Sequence, residues 1–194
     1  YRNSPDMRPR TTDIIIGNTL TKASVSRAIN LGADGVRQGI GLGSVCITSD
    51  MTGIACPPVT ALYYGWKAMR NYELEIADTS KFSLYPSLLL DGGIKKPGDL
   101  VKAIVCGADA VICGSIFAGC KETPGRVEYK MILKDPNHIQ TVKKFRGMAS
   151  REVVEEYGLW DGTNENLFVE GKEIEVPYTG KSAVDVIYEF INGL

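Results

Sequence analysis

The sequence predicts an α/β protein with parallel strands and a functional site along the C-terminal edge of its sheet. Three observations predict it. A unit recurs: Ile14-Ile15-Ile16-Gly17, Ala28, Gly32-Ala33-Asp34-Gly35-Val36 and Gly39 return as Leu88-Leu89-Leu90-Asp91-Gly92, Ala103, Gly107-Ala108-Asp109-Ala110-Val111 and Gly114, with Gly17 and Gly92 separated by 75 positions. Short apolar runs of the buried-strand type alternate with stretches of helical spacing, the pattern of β-α-β units. Glycine turns follow the strands, and the turns at strand C-termini are where parallel α/β sheets build their sites.

Each element has a local reason. The run Ile14 to Ile16 is the first strand, Lys22 to Leu31 is a helix stopped at Gly32, and Val36 lies in a second strand that ends at Gly39. Pro57-Pro58 precedes apolar residues at helical spacing from Val59 to Arg70, so the second strand also feeds a helix. Leu88 to Leu90, Asp99 to Cys106 and the strand around Val111 repeat the opening unit. A closed barrel and an open sheet both fit this order. An eight-stranded barrel takes about 250 residues, so four strands amount to half of one.

After Gly119 the pattern changes. The segment from Lys121 to Asn166 is polar and irregular, with one short helix near Ser150 to Tyr157, and the alternation from Leu167 to Tyr178 around Glu170-Gly171 predicts a hairpin. The excursion over 121–178 reads as a flap, and Ser182 to Ile191 closes the chain as an amphipathic helix. Residues 1–194 thus read as a single domain with about half of such a barrel absent.

Composition narrows the function. With 44% hydrophobic residues and a formal charge of −1, the chain has a core-forming profile and no global field for nucleic acid or a membrane surface, so an anionic ligand must be held locally. No signal peptide and no long apolar run is present, and the chain reads as cytoplasmic. Five cysteines form no C-x-x-C pair, and the single histidine, His138, is far in sequence from all of them, which argues against a zinc site or a Cys-His nucleophile.

One cysteine stands apart. In Gly39-Ile40-Gly41-Leu42-Gly43-Ser44-Val45-Cys46-Ile47-Thr48 a thiol and a hydroxyl follow a glycine-rich turn leaving a strand. Such a turn lets bare backbone approach a ligand while aiming the thiol at it, the layout of covalent catalysis. Cys56, Cys106 and Cys113 read as packing residues.

Taken together, Ile16-Gly17-Asn18, the cysteine loop, Asp91-Gly92-Gly93, Gly107-Ala108-Asp109 with Gly114-Ser115, Gly147-Met148 with Ser150, and Glu170-Gly171-Lys172 resemble the IMP dehydrogenase and GMP reductase family. The resemblance implies a (β/α)8 TIM barrel, of which the chain covers the C-terminal half plus a flap. On the same resemblance residues 1–194 are a single catalytic domain, with the barrel's N-terminal half and the family's C-terminal tail absent. It implies that Cys46 attacks C2 of a purine nucleotide to form a thioimidate, with Thr48 and Glu170 moving the proton. It places the nucleotide on Ser44, Asp91, Gly92, Gly93, Gly114, Ser115, Gly147, Met148, Ala149 and Gly171, with Asp91 on the ribose. A nicotinamide coenzyme falls on Asn18, Ile40, Gly41 and Met148, and a potassium ion on the carbonyls of Gly41, Gly43 and Cys46. Homotetramers are usual in the family.

Within it, this chain resembles the reductases more closely. No Arg-Tyr pair of the kind the dehydrogenases use to activate water occurs, and Val169-Glu170-Gly171-Lys172 has the reductase form, whereas Gly114-Ser115 and Arg146-Gly147-Met148 read like a dehydrogenase. The expectation is an NADPH-dependent GMP reductase that converts GMP to IMP and ammonia. The alternatives are an NAD-dependent IMP dehydrogenase and a non-catalytic nucleotide-binding or assembly fragment.

Overall fold

The computed structural model describes residues 12–76, 85–132, 135–158 and 168–194. Strands β1 (Ile15–Thr19), β2 (Gly35–Gln38), β3 (Ser87–Asp91) and β4 (Ala110–Ile112) form one sheet in the order β1-β2-β3-β4, every neighbouring pair parallel. Each crossover steps one strand in the same direction, so the sheet has no switch point of the doubly wound kind. The connections carry helices α1 (Lys22–Asn30), α2 (Thr48–Thr52), α3 (Pro58–Ile76) and α4 (Pro97–Val105). All but α2 were legible in the sequence.

The core lies between this sheet and its helices. Val36, Leu88 and Leu90 pack with Val25, Ala28 and Ile29 of α1 and with Leu62, Ala68 and Met69 of α3. Full burial of each larger aliphatic contributes about 1.5–3 kcal/mol. Because side chains alternate along a strand, the same register turns Arg37 and Asp91 away from the helices, to the other face. The sequence repeat also has a structural cause: Asp34 accepts the Ile14 N–H at 2.8 Å and Asp109 accepts the Leu88 N–H at 2.7 Å, so each Gly-Ala-Asp latches one strand to the start of its neighbour.

The second sheet departs from expectation. Strands β5 (Glu128–Ile132), β6 (Asp135–Arg146) and β7 (Glu173–Pro177) are antiparallel in the order β5-β6-β7, with α5 (Arg151–Glu156) between the last two in sequence. The hairpin expected within 167–178 does not form in the described part: Glu173 to Pro177 is one strand, paired with Val142 to Arg146, and Leu167 lies outside the described residues. Alternation marks a strand without naming its partner. The segment expected to be irregular holds the twelve-residue β6. Its polarity misleads because Lys143 is buried, donating to the carbonyls of Cys120 (2.8 Å) and Thr123 (2.6 Å) beneath the Tyr178 ring. A buried ammonium is tolerated when its protons are satisfied in this way. The chain closes with α6 (Ala183–Ile191), capped by Ser182.

Candidate active site

The site is assembled where β2 ends. Gly39 and Gly41 have φ of 119° and 77°, the left-handed region that favours glycine, and a Cβ on Gly39 would stand 3.0 Å from the Asp91 carbonyl oxygen. The loop is therefore pressed against the end of β3. It is then tied to two distant segments: the Ile47 N–H donates to the Glu170 carbonyl at 2.9 Å, the Lys172 N–H to Val45 at 2.9 Å, and the Gly147 N–H to Lys172 at 3.1 Å. These bonds bring residues from β2, the end of β6 and the approach to β7 to one place.

A cavity of about 550 Å³ opens there, within the size of small-molecule sites. The Cys46 thiol donates to Thr48 Oγ1 at 3.3 Å, and Thr48 Oγ1 donates to Glu170 Oε2 at 2.6 Å. Thiol, hydroxyl and carboxylate thus form one directed chain, partly buried, that ends on a base. A proton leaving sulfur has a path to Glu170 through Thr48, which makes the thiolate, the nucleophilic form. The other thiols are unlike it. Burial pushes Cys113 and Cys120 up, holding them protonated, and neither lines the cavity.

The structure gathers most of the residues singled out from sequence. Asn18, Ile40, Gly41, Gly43, Cys46, Thr48, Asp91, Gly147, Met148, Ala149, Glu170 and Gly171 all line the cavity. Ser44, Gly92, Gly93, Gly114 and Ser115 are not part of this lining. Gly92 instead packs behind the loop, where a Cβ would stand 3.1 Å from Gly43 N. Sequence reasoning missed Arg37, which lines the cavity and pairs with Asp91 at 2.8 Å. Its signal was a cation inside an otherwise buried strand.

Among the glycines that line the cavity, Gly171 makes the closest fit. A Cβ there would come within 2.8 Å of Ser150 N and 3.0 Å of Ala149 C, backbone atoms that cannot step aside. Gly171→Ala is expected to cost about 1–3 kcal/mol of stability by overpacking and to lower turnover by displacing Glu170, as checked by a denaturant midpoint and an initial rate. An unchanged midpoint would show that the segment yields.

Comparison with known proteins identifies the family. Residues 5–194 match the family model described as IMP dehydrogenase / GMP reductase domain. The chain is 36% identical over 188 residues to inosine-5'-monophosphate dehydrogenase of Aquifex aeolicus and 37% identical over 185 residues to that of Thermoplasma acidophilum, each alignment taking 94% of this chain and 34% of the relative. The chain therefore spans about a third of the length of these curated relatives. It is also similar to the crystal structure of a GMP reductase variant from Trypanosoma brucei in complex with guanosine 5'-monophosphate, with a TM-score of 0.77 and 31% identity over 94% of this chain and 34% of that one. The chain belongs to the IMP dehydrogenase/GMP reductase family of oxidoreductases, whose TIM barrel accounts for the parallel sheet and its helices.

Proposed function

We propose that the protein is a GMP reductase, and the observation that carries this reading is the Cys46–Thr48–Glu170 chain of hydrogen bonds. Glu170 takes the thiol proton through Thr48, and the Cys46 sulfur attacks C2 of GMP. The same hydroxyl then returns the proton to the departing amine, which leaves as ammonia, and a thioimidate joins sulfur to C2. Threonine alone is a poor acid, so the carboxylate at 2.6 Å is what makes the relay work. The backbone of Gly147, Met148, Ala149 and Gly171 borders the purine, and Asp91 accepts from the ribose. Ser44, Gly93, Gly114 and Ser115 hold the phosphate beyond the cavity wall.

The groups implied by the family fit the donors present. Asn18, Ile40, Gly41 and the exposed Met148 leave a mostly apolar wall with bare backbone for a flat nicotinamide ring, and a bound NADPH supplies the hydride that yields IMP. The carbonyls of Gly41, Gly43 and Cys46 are neutral oxygens of the kind that replace the hydration shell of potassium, which would brace the loop carrying the thiol. Gly43 already accepts the Cys46 N–H at 3.1 Å and keeps one lone pair for such an ion. The residues over 121–178 serve as the flap, and the working protein is a cytoplasmic homotetramer that binds no nucleic acid. Among the described residues, no helix is long and apolar enough to cross a membrane.

A second reading, NAD-dependent IMP dehydrogenase, is favoured by the names of the curated relatives. Incubating the intact protein with GMP plus NADPH and, separately, IMP plus NAD decides between them. Ammonia release with oxidation of the coenzyme is the result expected. Formation of XMP would replace the reductase by the dehydrogenase, and nucleotide binding without either product would leave a binding fragment.

A further inference from the structure

The C-terminal ends of β1, β2 and β3 each contribute one side chain to a single cluster. Arg37 pairs with Asp91 Oδ2 at 2.8 Å, and the Asn18 side-chain amide donates to the same oxygen at 2.7 Å while also bonding the Gly39 carbonyl. The seat of Arg37 is built into the neighbouring strand. A Cβ on Gly17 would fall 2.5 Å from Arg37 Cβ and 2.6 Å from its carbonyl oxygen, so glycine at 17 lets β1 lie close against β2 at Arg37. Yet the fold leaves Arg37 Nε buried without a partner among the described residues, which costs stability. A local rule broken at a cavity wall is a mark of function rather than of packing.

We propose that Arg37 is a specificity-determining positioning residue, whose ion pair together with the Asn18 hydrogen bond holds Oδ2 of Asp91 and so presents Oδ1 to the vicinal diol of the purine nucleotide's ribose. Oδ1 takes no hydrogen bond among the described residues, and Asp91 lines the cavity. A carboxylate accepts two hydroxyls well only when its plane is held, and a guanidinium and an amide on one oxygen hold it. The inference rests on the purine-nucleotide reading of this cavity.

The test titrates GMP and 2′-deoxy-GMP, without coenzyme, into the intact protein and into Arg37→Met and Arg37→Lys by calorimetry. The unaltered protein is expected to prefer the ribonucleotide about tenfold or more, as a hydrogen bond to a charged group provides. Arg37→Met should weaken GMP alone and bring the ratio close to one. Its melting temperature should hold or rise, because the orphan N–H goes with the guanidinium, and a merely structural arginine would not behave so. Arg37→Lys should restore part of the ratio, since it returns the charge without the fork. If Arg37→Met does not fold, a reduced ratio in Arg37→Lys carries the same support. Equal weakening of both nucleotides, an unmoved ratio, or a loss confined to coenzyme binding would overturn the proposal while leaving the nucleotide reading in place. Failure of the unaltered protein to bind any purine nucleotide would overturn both.

Discussion

Replacing Cys46 by alanine is expected to abolish turnover, by a factor on the order of 10⁴ or more, while GMP binding changes little. The factor follows from removing the one nucleophile of a covalent route, for which no neighbour can substitute. The Thr48 hydroxyl at 3.3 Å is bonded onward to Glu170, and none of the other thiols lines the cavity. Binding is expected to persist because the proposed reading holds the ligand largely by backbone and by Asp91, none of which the sulfur supports. The measurement pairs a steady-state rate with a calorimetric titration of GMP. Residual turnover within about tenfold of the unaltered protein would exclude covalent catalysis.

Replacing Glu170 by glutamine should lower kcat by about 10²–10⁴. Glutamine fills the same space and still accepts the Thr48 hydroxyl, but it cannot take the proton. The loss should fall on ammonia release, which needs that proton, and not on hydride transfer, which needs none. A single-turnover experiment separates the two: with deuterated coenzyme, the isotope effect seen in the unaltered protein should shrink in Glu170→Gln as deamination becomes limiting. Thr48→Val interrupts the same relay from the middle. Combining the two replacements should cost little more than either alone, because groups that act as one unit are not additive. Equal slowing of both chemical steps would remove Glu170 from the proton path.

These two residues illustrate what a sequence carries. Cys46 and Thr48 were legible together, since both sit on one short loop whose glycines announce the turn. Glu170 lies 122 positions from Thr48, and without the family resemblance it reads as a solvated turn residue. The structure instead sets its carboxylate 2.6 Å from the hydroxyl, because the Ile47 N–H and the Lys172 N–H are bonded across the two segments. Arg37 was passed over for the converse reason. A charged residue in a strand shows that something must receive it, and the receiver, Asp91, is on the next strand.

By itself the sequence determined the alternation of strands and helices, the repeat that makes two β-α-β units, and the loop that bears the thiol. All of these are written in spacings of a few residues, where chain geometry alone dictates the outcome. Only the tertiary structure decided the one-directional strand order, the pairing of Glu173 to Pro177 with β6, the burial of Lys143 and the joining of Cys46, Thr48 and Glu170. Such contacts join segments far apart in the chain. Which of them form is settled by how apolar faces pack and how buried polar groups find partners, and no local spacing encodes that choice.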